Sequence, residues 1–154
     1  MATRAARHRL ALLDVNVLVA LFDPDHIHHD LAHDWFAEYG SVGWATCPIT
    51  EAGFVRVVSN PKYGPDPLRP AAALDLLRRF CESGGHHFWP DAVSFRDDSL
   101  FALDQARGHR QITDVYLLGL AKKMDGTLTT FDRTIPLGAV KGATRAHLSV
   151  IEPL

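Results

Sequence analysis

Cysteine is scarce in this 154-residue sequence, and positive charge is not in excess. Cys47 and Cys81 stand in apolar surroundings without a CxxC or Cys/His pattern. This argues against a disulfide and indicates reduced thiols in a cytoplasmic protein. The formal net charge of −2 excludes a generally basic nucleic-acid coat. An anionic substrate must therefore be held locally or through bound cations.

Long apolar runs are also absent. No stretch approaches the roughly 20 residues of a membrane-spanning helix, so we expect a soluble protein with no membrane partner. The beginning, MATRAARHRL, is similar to the basic part of a secretory signal, but Asp14 and Asn16 interrupt the apolar run that follows, and we interpret it as mature protein. With 47% hydrophobic residues and no repeat, low-complexity tract or linker, residues 1–154 are predicted to form one domain.

The stretch LALLDVNVLVALF, residues 10–22, places one carboxylate and one amide inside an otherwise apolar run. A buried carboxylate without a partner costs several kcal/mol, so Asp14 needs a cation or a proton. One interpretation is a strand over 9–14 that ends at a ligand site, since ligands of parallel sheets lie beyond the carboxyl ends of the strands. The other is that Asp14 only caps a helix that begins at Asn16.

Hydrophobic periodicity and turn residues predict an alternation of strands and helices along the rest of the chain. Four proline residues in the segment 60–70 predict an extended loop. We expect strands over 9–14, 43–47, 86–90 and 127–131, and helices from residue 16 and over 23–40, 48–59, 71–80, 91–107 and 114–123, the last with Thr113 as N-cap.

Four carboxylates fall at strand ends or helix starts of this pattern: Asp14, Glu51, Asp114 and Asp132. Each alone has a simple explanation as a helix cap, a dipole partner or a turn residue. Together they are expected at one edge of one sheet, where bare anions would repel strongly. Hard divalent cations with oxygen ligands are the usual solution, which predicts Mg²⁺ or Mn²⁺.

A second candidate metal site lies in the His-rich segment 23–40. His29 and His33 have the i, i+4 spacing of some zinc sites. No Cys or Glu completes a recognisable ligand set, so we interpret this helix face as solvated.

Three ordered motifs resemble those of PIN-domain ribonucleases of the VapC toxin type. They are D-x-N-x-L from Asp14 to Leu18, I-T-D from Ile112 to Asp114, and T-x-D from Thr130 to Asp132. The likeness covers essentially the full length, and a glutamate stands between the first and second motifs. It carries the family's acidic quartet over to Asp14, Glu51, Asp114 and Asp132, and its supporting polar positions to Asn16, Thr113 and Thr130. Val115 stands where that family often has Ala.

This resemblance implies a three-layer α/β/α PIN-like fold with a central mostly parallel sheet. It also implies a toxin that cleaves RNA endonucleolytically, a homodimer, and inhibition by a cognate antitoxin. The chemistry agrees with the residues, because carboxylates that hold divalent ions can activate water and stabilise the leaving oxygen of a phosphodiester. Arg133, next to Asp132, and Arg110, just before I-T-D, are candidates for contacts with the RNA backbone.

Two alternatives belong to other functional classes. A phosphatase of the haloacid dehalogenase type also has an Asp at the end of its first strand, but a second Asp follows two residues later, where this chain has Asn16. A non-catalytic PIN-like RNA-binding module would keep the fold without the chemistry, and the intact quartet argues against it.

Overall fold

A parallel β-sheet of five short strands forms the centre of the protein, seen here in a computed structural model that describes residues 9–153. The interpretation of residues 1–8 as mature protein lies outside the described residues. The strand order is β3-β2-β1-β4-β5, and each neighbouring pair is parallel. The strands are β1 (Ala11–Leu13), β2 (Trp44–Thr46), β3 (His86–Phe88), β4 (Thr127–Thr130) and β5 (Leu148–Val150).

Helices cover both faces of the sheet. The helices are α1 (Val15–Phe22), α2 (His29–Tyr39), α3 (Pro48–Val58), α4 (Pro70–Glu82) and α5 (Ile112–Lys123). Since side chains alternate along a strand, Leu12 and Leu128 belong to the core on the α5 side, whereas Leu13 and Trp44 belong to the core on the side of α1, α3 and α4. This arrangement confirms the predicted three-layer α/β/α fold. Within residues 9–153, no helix is both long and apolar enough to cross a membrane.

The predicted helix over 23–40 begins six residues later than expected, at His29. Asp23 ends α1 and organises the turn that follows: its side chain accepts from the N–H of Asp25 at 2.9 Å and its carbonyl accepts from the N–H of His26 at 3.0 Å. Such local side-chain hydrogen bonds compete with helix formation, which is why residues 23–28 are turns.

The predicted helix over 91–107 is wrong, because this segment contains only a short 3₁₀ turn, Leu103–Gln105. The Asp97 side chain accepts from both the N–H and the hydroxyl of Ser99, at 2.9 and 2.6 Å, and so stabilises a turn. Phe101 then forms an isolated bridge with Val140. Tertiary pairing and turn chemistry overrule the helical spacing of the apolar residues there.

Candidate active site

Asp14 lies directly after β1 and is only 6% exposed. One carboxylate oxygen accepts from the N–H of Val15 at 2.7 Å, so Asp14 is the N-cap of α1. The other oxygen accepts from the Thr130 hydroxyl at 2.7 Å. The interpretation as a helix cap is therefore confirmed, and Asp14 also stands at the carboxyl end of a central strand, where the ligand site stays a prediction.

The Thr130 hydroxyl connects three parts of the site. Besides donating to Asp14, its oxygen accepts from the backbone N–H of Asp132 at 3.0 Å and from the Asn16 side-chain amide at 3.4 Å. The Asn16 Oδ1 atom is buried and has no hydrogen-bond partner among the described residues. Thr130 thus fixes the direction of Asp14, and Asn16 offers an unused oxygen beside it.

Asp114 and Asp132 complete an acidic group with Asp14. Burial raises the pKa of Asp114 to about 7, and the charges of Asp14 and Asp132 and a hydrogen bond with Asp132 act in the same direction. Burial also raises the pKa of Asp14, against the hydrogen bonds from Thr130 and Val15, and the charge of Asp132 adds to the rise. The three aspartates therefore lie close enough to repel one another.

Asp132 is held by its own turn. One of its carboxylate oxygens accepts from the N–H and the hydroxyl of Thr134, each at 2.7 Å. This turn follows β4 directly, so the T-x-D motif places Thr130 and Asp132 next to the end of β1.

Glu51 makes different contacts. In the first turn of α3, its carboxylate accepts from the Thr46 hydroxyl at 2.6 Å, and the same hydroxyl oxygen lies 2.7 Å from Nε2 of His86. Because a hydroxyl has one proton and gives it to Glu51, His86 must donate its Nε2–H to Thr46. No hydrogen bond in residues 9–153 joins Glu51 to the aspartates.

The two hydrogen bonds that connect His86, Thr46 and Glu51 were not predicted from the sequence. Thr46 is fully buried at the end of β2, yet it stands in a stretch that appears only as a short apolar strand. Its one signal in the sequence is a hydroxyl five residues before a glutamate, and this spacing is too common to predict a hydrogen bond by itself.

Thr113 does not have the predicted role of N-cap. The chain enters α5 through a 3₁₀ turn, His109–Gln111, and the Gln111 side chain donates to the Thr134 carbonyl at 2.9 Å. The helix therefore starts at Ile112, and Thr113 is exposed within its first turn.

Both candidate arginines are exposed, and each lies close in sequence to one of the aspartates. Arg133 forms an ion pair with Glu152, with 3.2 Å between Nε and Oε1. Arg110 lies in the 3₁₀ turn that leads into α5. Both side chains of this ion pair are exposed, and surface pairs of this kind contribute little to stability.

His29 and His33 donate to α1; His33 is exposed, as the interpretation of a solvated face expects, whereas His29 is half-buried and departs from it. His29 Nδ1 lies 2.7 Å from the Ala20 carbonyl and His33 Nε2 lies 2.8 Å from the Leu21 carbonyl. As carbonyls can only accept, both rings donate and satisfy the last turn of α1. These nitrogens are therefore not available as zinc ligands.

The aspartate site has the chemistry of a divalent-cation site, although it is not a closed cage. Within the described part of the chain, no three His, Cys or carboxylate side chains are grouped tightly enough to hold an ion. The raised pKa of Asp114, which burial and then the charges of Asp14 and Asp132 cause, nevertheless fits a group that adds positive charge and takes oxygen ligands, as does the unpartnered oxygen of Asn16.

A sequence profile described as "PIN domain" matches residues 11–139, which include β1 to β4 and all three aspartates. The chain belongs to the PIN-domain family. Within this family it is 47% identical to "Ribonuclease VapC44" of Mycobacterium tuberculosis strain H37Rv over 141 residues, which cover 92% of this chain and 99% of the relative.

Two more curated relatives from the same strain are also similar to this chain. "Ribonuclease VapC39" is 45% identical over 86% of this chain and 95% of its own length. "Ribonuclease VapC38" is 48% identical over 80% of this chain and 85% of its own length. The predicted resemblance to VapC-type PIN proteins is confirmed, and the haloacid dehalogenase alternative is wrong, as Asn16 already indicates.

Proposed function

We propose that this PIN-domain protein is a VapC-type toxin that cleaves RNA endonucleolytically with the help of a divalent cation. The observation that supports this proposal most directly is the group of three aspartates at the carboxyl edge of the sheet, where burial and mutual repulsion raise the pKa of Asp114 to about 7. Relatives named as VapC ribonucleases, similar over most of their length, support the same activity.

Asp14 and Asp114 would hold the cation, and we assign Mg²⁺, with Mn²⁺ as a possible substitute. Asp132 and Glu51 would complete the site directly or through water. A divalent cation supplies activation of water and stabilisation of charge on the leaving oxygen. Thr130 keeps the Asp14 carboxylate in one orientation, and the free oxygen of Asn16 is placed to orient a water or a ligand.

The RNA backbone would be held by Arg133 and Arg110, since guanidinium groups match phosphate geometry. The cell would need a cognate antitoxin to inhibit the toxin. We also propose a homodimer in the cytoplasm, and one PIN domain over residues 1–154.

The decisive experiment uses the purified protein, freed of antitoxin, with single-stranded and structured RNA in Mg²⁺, Mn²⁺ or chelator. Cleavage should require the ion. Asp14→Asn and Asp114→Asn should each remove nearly all activity, because each deletes a charged ligand that no neighbour replaces. Asp132→Asn should leave residual activity if this side chain acts through water. Circular dichroism should show that each variant is folded.

His87→Ala is the matched control, since this histidine is exposed on the edge strand β3. It should cleave like the unmodified protein. Undiminished cleavage in chelator would contradict the mechanism. Specific RNA binding without cleavage in any ion would instead favour the non-catalytic RNA-binding module.

A further inference from the structure

Three planar rings cluster at the carboxyl end of β4: Phe131, His28 and His26, which we call the ring cluster. Phe131 stands in the chain between Thr130 and Asp132. The centroid of the His28 ring lies 4.6 Å from that of Phe131, and the two planes differ by 25°. His26 lies 6.5 Å from Phe131, again with 25° between the planes. The His26 and His28 rings are 5.8 Å apart and tilted by 47° to each other, so each of them lies nearly parallel only to Phe131, the residue between Thr130 and Asp132.

The rings are held in place by the turn that carries them. His28 donates its backbone N–H to Nδ1 of His26 at 3.0 Å, so this nitrogen acts as an acceptor. The Tyr63 hydroxyl donates to Asp23 at 2.5 Å and ties the 60–68 loop to the start of the same turn. Burial and the neighbouring His28 lower the pKa of His26, which favours a neutral ring. The cluster thus presents preorganised, half-buried ring faces.

Helix stability does not account for His28. It occupies the N-cap position of α2 but makes no side-chain cap hydrogen bond there. Ser, Thr, Asp or Asn would stabilise the helix at this position. A locally unfavourable residue whose ring instead faces Phe131 is typical of a functional position.

The charges around the cluster indicate what it binds. Without a bound cation, the three aspartates repel a polyanion, and the whole chain has a net charge of −2. Phosphate contacts alone therefore give weak attraction. Stacking of bases on Phe and His rings is independent of charge and is the usual means by which proteins hold unpaired nucleotides.

We propose that the ring cluster is a stacking site for a nucleobase of single-stranded RNA, which holds the strand against the aspartates. This inference rests on the proposed ribonuclease function and adds a binding site to it. The site should favour unpaired bases over a duplex, because only an unstacked base exposes its face.

The test measures binding of a short fluorescent single-stranded RNA by anisotropy, in chelator so that the RNA stays intact. His28→Ser removes the ring and offers an N-cap hydroxyl, so the variant should fold at least as well. Phe131→Leu keeps an apolar side chain and removes the aromatic face. Each should weaken binding by roughly fivefold or more, the effect of losing one stacked base. The dependence of binding on salt should stay unchanged, since no phosphate contact is lost.

His87→Ser is the control and should bind like the unmodified protein. If both ring variants bind and cleave RNA as well as the control, the stacking site is wrong while the ribonuclease function stands. If the unmodified protein neither binds nor cleaves RNA, the proposed function fails and the stacking site with it. If the variants lose only the complex with antitoxin, the cluster is a protein contact and the inference is overturned.

Discussion

At Asp114, burial and two neighbouring aspartates act in the same direction. Its pKa rises from an ordinary 3.8 to about 7 in the folded protein. A carboxyl group with a raised folded pKa contributes stability below pH 3.8, and this contribution is lost as the pH rises through about 7. The metal-free protein should therefore lose stability between these two values.

Asp114→Asn should abolish this loss and raise the free energy of unfolding of the metal-free protein at neutral pH. Urea denaturation at several pH values in chelator measures the effect. Asp104→Asn, an exposed aspartate, is the control and should keep the slope of the unmodified protein. A slope unchanged by Asp114→Asn would show that the three carboxylates do not interact.

Substitutions of Thr46 should show whether this residue orients Glu51 for the cation or contributes only to the stability of the fold. Thr46→Val keeps the shape but leaves the Glu51 carboxylate and the Nε2–H of the half-buried His86 without their partner, and should cost about 1–3 kcal/mol of stability. If Thr46 orients Glu51 for the cation, metal affinity by calorimetry should also fall, by roughly 10- to 100-fold.

Thr46→Ser restores the hydroxyl and should recover metal affinity even where it lowers stability. Loss of stability in Thr46→Val with unchanged affinity would mean that Glu51 has no part in binding the ion. Glu51 would then belong to the packing between α3 and β2.

At the scale of elements, α1 is held at both ends by side chains from outside the helix. Asp14 caps its first turn, and His29 and His33 of α2 donate to its last carbonyls. The helix has only eight residues, too few to be stable alone.

His29→Ala and His33→Ala should each destabilise the protein by about 0.5–1.5 kcal/mol, the net contribution of one hydrogen bond. Thermal denaturation measures the loss, with His87→Ala as an exposed control. Cleavage should persist in both variants at temperatures where they are folded. Loss of cleavage equal to that of Asp14→Asn in a folded variant would restore the histidine metal site.

The same elements show what could be predicted from sequence. Strands β1, β2, β3 and β4 and helices α3, α4 and α5 were placed to within a few residues, because strong apolar patterns and proline or glycine residues define them. The last strand, β5, was not predicted. The false helix over 91–107 and the late start of α2 share one cause: aspartate side chains stabilise turns within segments that have helical spacing.

The site was predictable where the motif and the topology agree. Asp14, Asn16 and Thr130 meet because β1 and β4 are neighbours, and Asp114 follows from the start of α5. The contacts of Glu51 were not predictable, because sequence spacing gives the position of a residue on a helix but not the direction of its side chain. The roles of all these residues in catalysis stay predictions.

For the whole molecule, the cation should act as a folding ligand. Binding to the native state alone should raise the free energy of unfolding by about 2.7 kcal/mol at an ion concentration 100 times Kd. Mg²⁺ or Mn²⁺ should therefore raise Tm at pH 7.5. The gain should shrink below about pH 7, where Asp114 holds a proton that the ion must displace.

Asp114→Asn should show little rise in Tm on addition of either ion, both at pH 7.5 and below pH 7, which makes it the internal control for this experiment. Addition of EDTA should reverse the effect in the unmodified protein. A Tm that changes with neither ion at any pH would contradict a cation site shared by these carboxylates.

The double hydrogen bonding of Asp14 matters for anyone who needs an inactive form of the protein to trap RNA or antitoxin for crystallography. An Asn side chain has one acceptor oxygen, so Asp14→Asn can still cap α1 through Val15 but no longer offers a second oxygen to the Thr130 hydroxyl. That variant gives up the link between β1 and β4 at Thr130 along with the charge. A substitution at Asp114 leaves both hydrogen bonds of Asp14 intact, and it is the better choice for a trap that keeps the native shape of the site.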